Sequence, residues 1–126
     1  MKDVFVSYKV FCLIMIGGEK QIMKVMVRNI FKILPGKMTE GMELVQKWMA
    51  VASRLLGTSS RGYQPFIGGG DTTRTIIWEI ELDSFAAFEA LPVKMGADPE
   101  MQTLFPKLNV VIDSIDVELY TPIPTM

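Results

Sequence analysis

The sequence contains no histidine and only one cysteine, Cys12, among its 126 residues. Without imidazole, the chain cannot build a Ser/His or Cys/His nucleophile pair, a histidine general base, or a histidine-ligated metal or haem. A single thiol can form neither an internal disulfide nor a thiolate metal cluster, and it is typical of the reducing cytoplasm. We therefore expect a cytoplasmic protein that uses no cofactor.

The chain also lacks an excess of charge of either sign. It has 13 basic and 14 acidic residues, which gives a formal net charge of -1. Nucleic acids and anionic membranes attract proteins through clustered basic residues, so we expect no nucleic-acid partner and do not favour a membrane partner. The hydrophobic content of 49% is ample for the core of one domain and leaves apolar surface that a partner can cover.

Residues 1–22 differ from the rest of the chain. Their apolar run of seven, at residues 10–16, is too short to span a bilayer, and no small-residue cleavage site follows it. Two interpretations stay open. Residues 17–20 can be encoded as a purine-rich ribosome-binding sequence upstream of Met23, which would make residues 1–22 a translated leader; alternatively, residues 4–16 form an extra strand. We therefore place the domain at residues 23–126 and treat residues 1–22 as an amino-terminal extension.

Period-two alternation of apolar and polar side chains predicts four strands within the domain. They lie at residues 24–33, 61–67, 74–82 and 110–120. Pro65 marks an edge or a bulge in the second of them, because proline donates no ladder hydrogen bond. The glycines at 68–70, followed by Asp71, predict that the second and third strands form a hairpin.

Helical spacing predicts two main helices. The first runs from Lys37 to about Leu55, and the second is capped by Asp83 or Ser84 and ends at Pro92. Asp98, Pro99 and Glu100 predict a further turn or two of helix, since they supply a cap, a residue that needs no donor, and a negative charge near the positive end of the dipole.

This order of elements predicts an α+β protein with a ferredoxin-like βαββαβ unit, in which the helices cover one face of a four-stranded antiparallel sheet. The other face mixes apolar and charged side chains. Its members are Met26, Arg28, Ile30, Lys32, Ile77, Glu79, Glu81, Asp116, Glu118 and Tyr120. Two copies placed sheet against sheet would bury the apolar members and let basic residues of the first strand meet acidic residues of the third and fourth. We predict a homodimer and assign Arg28, Lys32, Glu79 and Glu118 to its barrel face.

Three segments of the chain resemble the NIPSNAP-like branch of the dimeric α+β barrel superfamily. They are Leu34-Pro35-Gly36-Lys37, Trp78-Glu79 leading into Ser84-Phe85-Ala86-Ala87-Phe88, and Ala97-Asp98-Pro99-Glu100 with Phe105-Pro106-Lys107. The resemblance spans residues 23–124 and implies ferredoxin-like subunits paired into a barrel. It implies less about activity, because the superfamily includes cofactor-free monooxygenases, haem-degrading enzymes, isomerases and members with no assigned reaction. The haem-degrading motif needs a histidine, which this chain lacks.

The resemblance places Asn29 where relatives hold a polar pocket residue, on the helix side of the first strand. Phe31, Trp48, Tyr63 and Trp78 are candidates to line the same apolar pocket, although aromatic residues at this spacing serve equally as core, and the Asn29 amide can bond a neighbouring backbone group.

Three functions stay open. We favour a dimeric module that binds a small apolar ligand between sheet and helices, because no set of acid, base and nucleophile can be assembled from this sequence. The alternative is a cofactor-independent monooxygenase acting on an aromatic or polyketide-like substrate. A third reading is an accessory protein whose apolar amino terminus touches a membrane.

Overall fold

The computed structural model of the chain describes residues 24–68 and 70–123. Both interpretations of residues 1–22 lie outside the described residues. The elements, in chain order, are β1 (Val25–Ile33), α1 (Met38–Leu56), β2 (Ser60–Tyr63), a 3-10 turn (Thr72–Arg74), β3 (Thr75–Leu82), α2 (Phe85–Ala97), α3 (Pro99–Val111) and β4 (Ile112–Tyr120).

The four strands form one antiparallel sheet in the order β2-β3-β1-β4. With helices α1, α2 and α3 on one side, this is the ferredoxin-like α+β fold that the sequence predicts. β1 is central, so each of its residues has a neighbour on both sides; Arg28 lies opposite Glu79 of β3 and Glu118 of β4. No helix among the described residues is both long and apolar enough to cross a lipid bilayer.

The two faces of the sheet follow the predicted alternation. In β1 every odd-numbered residue from Val25 to Ile33 is buried, and every even-numbered residue between them is half-buried. The buried side chains meet the apolar side of α1, where Val45, Trp48 and Val51 are fully buried. The core therefore lies between the sheet and the helices, and the opposite side of the sheet carries no helix among the described residues.

The prediction for the second strand was wrong in extent. β2 ends at Tyr63, whereas the alternation predicted a strand to residue 67. Pro65 cannot donate to the ladder, and the connection to β3 is an extended loop followed by a 3-10 turn. β2 is nevertheless an edge strand paired with β3, as the hairpin prediction requires.

The predicted end of the second helix at Pro92 was also wrong. Ser84 caps α2 by accepting a hydrogen bond from the Ala87 amide, as predicted, but the helix continues through Pro92 to Ala97. Continuation places Met95 on the same face as Leu91, and both side chains are fully buried. Burial of a Met side chain contributes about 1.5–3 kcal/mol, which is comparable with the cost of about 3 kcal/mol for an internal proline.

The third helix is much longer than the predicted turn or two. Asp98 caps it as predicted, but α3 runs for 13 residues to Val111 and contains Pro106. Its buried residues recur at helical spacing, and they are Met101, Leu104, Leu108 and Val111. The prediction that the last strand begins at Val110 was therefore wrong, and β4 begins at Ile112.

Candidate functional site

Four of the five predicted ligand-binding residues meet in one place on the helix side of the sheet. Asn29 lies opposite Trp78 across the β1–β3 pair, and Phe31 lies two residues further along β1. Trp48 of α1 packs edge-on against Trp78, with ring centroids 4.6 Å apart, and against Phe31 at 5.3 Å. We call these four residues the tryptophan cluster. None of them is more than 1% exposed.

The tryptophan cluster is apolar apart from the Asn29 amide and the indole nitrogens. The Nε1 donor of Trp78 is buried and has no hydrogen-bond acceptor among the described residues. A buried donor left without an acceptor costs about 1–3 kcal/mol, and such groups occur where a site awaits a molecule that supplies the acceptor. The Trp78 Nε1 is therefore the donor in this cluster to which an acceptor of a ligand could bind.

A surface groove lies beside the tryptophan cluster, where α1 meets the edge strand. This α1–β2 groove has a volume of about 320 Å³. Its lining residues are Met42, Val45, Gln46, Met49, Gly62, Tyr63, Gln64 and Ile76. Gly62 lies directly opposite Trp78 in the β2–β3 pair, so the groove wall adjoins the strand position that carries the indole.

Met49 lies against Gly62 at this wall. A Cβ atom built on Gly62 would lie 2.8 Å from the Met49 Cε and 3.3 Å from its Sδ. Only glycine leaves room for the methionine in this position, and the unbranched thioether side chain can move without disturbing the backbone. Met49 thus lines the groove and packs against the core with a side chain that is able to rearrange.

Tyr63, the fifth predicted ligand-binding residue, does not join the tryptophan cluster. It pairs with Ile77, one residue along from the Gly62–Trp78 pair, so its side chain leaves the strand on the helix-free side. It is 46% exposed and lies at the border of the α1–β2 groove.

The sequence analysis missed the remaining polar and flexible lining of the groove. Met42 and Met49 share the helical spacing of the core residue Val45, which is typical of core positions, and no pattern in the sequence singles out Gln46 or Gln64. The sequence contains one indication of the groove. Gly62 lies within β2, and a glycine inside a strand often marks a position where another group approaches the backbone closely.

The helix-free side of the sheet carries the residues assigned to the dimer barrel face. Arg28 donates from Nε to Glu79 Oε2 at 2.7 Å, lies 3.9 Å from Glu118 Oε1 and stacks 4.9 Å above the Tyr120 ring. The hydrogen bond that Arg28 donates to Glu79 raises the pKa of Arg28. Lys32 donates to Thr75 Oγ1 at 2.9 Å.

These ion pairs correct one detail of the sequence analysis. Basic residues of the first strand were expected to meet acidic residues when two copies pair, yet Arg28 already meets Glu79 and Glu118 within one chain. The reason is the order of the strands, since β1 lies between β3 and β4. We call the helix-free side of β1, β3 and β4 the free face.

Residues 24–68 and 70–123 contain no group of three histidine, cysteine, aspartate or glutamate side chains placed to hold a metal ion. Glu79 and Glu118 are paired with Arg28 on the free face, on the other side of the sheet from the tryptophan cluster.

No protein-family model matches the sequence, and a comparison with curated proteins finds no match. Comparison with solved structures does find similar folds. A NIPSNAP family protein from Agrobacterium tumefaciens superposes with a TM-score of 0.65 at 22% identity, over 80% of this chain and 87% of that one. An uncharacterized NIPSNAP domain protein from Burkholderia xenovorans gives a TM-score of 0.62 at 18% identity, over 80% and 95% of the two chains.

A third structure of this fold is an enzyme. SnoaB from Streptomyces nogalater, a cofactor-independent oxygenase, superposes with a TM-score of 0.56 at 16% identity, over 82% of this chain and 97% of its own. At these identities the likeness is one of fold. It confirms the ferredoxin-like fold that the resemblance drawn from the sequence implies.

Proposed function

We propose that this protein binds a small, flat, apolar molecule between α1 and the sheet, at the α1–β2 groove and the adjoining tryptophan cluster. The observation that carries the proposal is the buried Trp78 Nε1, which has no acceptor among the described residues. It adjoins a groove of about 320 Å³, which is near the lower end of the usual size of small-molecule sites.

The lining of the groove sets the chemistry of the ligand. Met42, Val45, Met49 and Ile76 supply apolar walls, while Gln46 and Gln64 contribute amides. Thioether side chains adapt to flat rings and contact them favourably. A ligand with one oxygen atom would satisfy the Trp78 donor once Met49 moves aside, so an aromatic alcohol, phenol or ketone fits better than a charged molecule.

We also propose that the protein is a homodimer in which the free faces of two copies pack together. Apolar Met26, Ile30 and Ile77 are only half-buried there, and Arg28 is already neutralised by Glu79 and Glu118. Arg28 can therefore be desolvated without becoming an unpaired cation. The single cysteine supports a cytoplasmic location as part of the same proposal.

The ligand proposal is tested by native mass spectrometry of the purified protein, followed by calorimetric titration with 2-naphthol as a flat probe with one oxygen. We expect saturable binding to the wild type. Gly62→Ala should weaken it at least about tenfold, equivalent to 1.4 kcal/mol, because the new methyl group displaces Met49 into the groove.

Gly68→Ala is the matched control, since a Cβ atom at that position has no neighbour within 4 Å. It should bind 2-naphthol like the wild type. If Gly62→Ala folds normally and binds 2-naphthol unchanged, the ligand does not occupy the α1–β2 groove. Absence of both a retained molecule and probe binding in the wild type would reject ligand binding altogether.

A second candidate function is a cofactor-independent monooxygenase acting on an aromatic or polyketide-like substrate. The likeness of fold to SnoaB, a cofactor-independent oxygenase, favours it. In such a reaction the substrate itself would supply the carbanion that reacts with oxygen, and the Asn29 amide within the tryptophan cluster would contact it.

Oxygen uptake with reduced, anthrone-like phenols tests the oxygenase hypothesis. Uptake by the wild type that falls in a folded Asn29→Ala variant would support it. No uptake across a panel of such phenols would leave binding as the function.

A further inference from the structure

Two large apolar side chains lie almost fully in solvent just beyond the α1–β2 groove. Phe66 is 92% exposed and Ile67 is 87% exposed. Adjacent aromatic and β-branched side chains with this exposure are unusual on a loop, because their apolar surface contributes to stability only when it leaves water. The two residues therefore need a partner surface.

The chain itself brings them close to the groove. Tyr63 and Gln64 line it, and Phe66 follows Gln64 by two residues. Since each residue extends a chain by at most about 3.5 Å, the Phe66 Cα lies within about 7 Å of the Gln64 Cα. Phe66 therefore belongs to the stretch of loop that continues directly from the lining of the groove.

The ends of this loop suit a small hinged movement. Pro65 fixes one backbone angle on the side next to β2, whereas Gly70, on the side next to β3, has a φ of 83°. Glycine tolerates backbone angles on either side of zero, so the chain can reorient there at little cost.

We propose that Phe66 and Ile67 are ligand-contacting residues that fold over the α1–β2 groove when an apolar molecule occupies it. This inference rests on the proposed function and adds the residues that would close the site. The ligand supplies the apolar surface that Phe66 and Ile67 lack in the empty protein, so the loop slows ligand release. Contact with Phe66 and Ile67 would slow the release of a flat, mainly apolar molecule most.

The experiment measures the rate of 2-naphthol dissociation from the full chain by stopped flow, using the fluorescence of the probe. In the double variant Phe66→Ser and Ile67→Ser we expect dissociation at least about tenfold faster, equivalent to 1.4 kcal/mol, with a smaller change in the association rate. The melting temperature should match the wild type, because both side chains are exposed in the empty protein.

Val93→Ser is the matched control, as Val93 is a 74% exposed apolar residue on α2; its dissociation rate should equal that of the wild type. If the double variant also keeps the wild-type rate while Gly62→Ala weakens binding, the groove is the site and the loop has no part in it. If the double variant halves the mass of a dimer, the loop contacts a second copy and the inference is overturned. If the wild type does not bind 2-naphthol, the proposed function fails and this inference fails with it.

Discussion

The two carboxylate oxygens of Asp98 accept hydrogen bonds from two different helices. Oδ1 accepts a hydrogen bond from Arg54 Nη2 of α1 at 2.9 Å, and Oδ2 accepts one from the Met101 amide in the first turn of α3 at 2.9 Å. The bond from Arg54 first, and that from Met101 second, lower the pKa of Asp98. Its stabilising contribution is therefore complete above the unfolded-state pKa of about 3.9 and is lost as the pH falls through the lower folded-state pKa.

We expect Asp98→Asn to lower the melting temperature by several degrees near pH 7. Asparagine can still cap α3, but the charge-assisted bond from Arg54 is lost. The difference from the wild type should shrink as the pH falls from the unfolded-state pKa of about 3.9 through the lower folded-state pKa, because Asp98 then becomes protonated in the wild type. Thermal unfolding followed by circular dichroism across this pH range measures it.

Glu100→Gln is the control for this prediction. Glu100 is 58% exposed at 3.6 Å from Arg54, and exposed pairs of this kind contribute little. The pKa of Asp71 is lowered to about 2, chiefly by the hydrogen bond from Thr73 and then by that from Arg74. Asp71 is present in the wild type, Asp98→Asn and Glu100→Gln, so its titration cancels when their melting temperatures are compared. A temperature difference that stays constant with pH would contradict the role of the Asp98 charge.

At the scale of elements, α1 approaches β1 most closely near the helix amino terminus. Gly41 is buried, and a Cβ atom there would lie 2.9 Å from Cγ2 and 3.0 Å from Cδ1 of Ile33. Ile33 is itself fully buried, and its branched side chain has little freedom to move. The glycine thus sets the separation between helix and sheet from which the position of Trp48 follows.

Replacing Gly41 by alanine should reduce the free energy of unfolding by up to about 2 kcal/mol. The gain in helix propensity is about 1 kcal/mol, whereas overpacking a tight core costs about 1–3 kcal/mol. Combined with Ile33→Ala, which removes the atoms in conflict, the substitution should become less harmful, with a coupling of about 0.5–3 kcal/mol. Urea unfolding of the two single variants and the double variant measures this coupling.

Ala50→Gly reports the helix propensity alone, since Ala50 is an exposed residue of α1. It should cost about 1 kcal/mol. If the free-energy effects of Gly41→Ala and Ile33→Ala simply add in the double variant, the contact between Gly41 and Ile33 does not determine which residue fits at position 41.

At the scale of the whole molecule, the free face decides how the protein assembles. Together with Arg61 on the same side of β2, its charged residues balance, with Lys24, Arg28 and Lys32 against Glu79, Glu81, Asp116 and Glu118. Ile30 lies in the middle, between Ile77 of β3 and Asp116 of β4. A second copy can cover this surface without charge repulsion, provided that the apolar centre is kept.

Ile30→Lys should convert the proposed dimer to a folded monomer. Within one chain the new ammonium group would lie opposite Asp116, a favourable cross-strand pair, but dimerisation would have to desolvate it. Light scattering at micromolar concentration should show half the wild-type mass, while Val93→Lys on α2 keeps the wild-type mass. A wild-type mass equal to one chain would reject the dimer.

The sheet could be predicted from the sequence because the side chains of β1 and β3 alternate in phase with the strand period. The caps Ser84 and Asp98 were predictable because their side chains act locally. Helix ends were not, since Pro92 and Pro106 favour termination while the burial of Met95 and Leu108 favours continuation. Within the candidate site, the tryptophan cluster could be predicted because strand alternation places Asn29, Phe31 and Trp78 on the same side of the sheet. The groove could not, because it depends on how Met49 packs over Gly62.

The edge-on packing of Trp48 on Trp78 has an optical consequence. These are the two tryptophans of the chain, and at 4.6 Å their excited states couple. The tryptophan emission and the tryptophan bands of the near-ultraviolet dichroism therefore originate from a single place beneath α1. Any event that shifts one indole by an ångström would register in the spectrum of the unlabelled molecule.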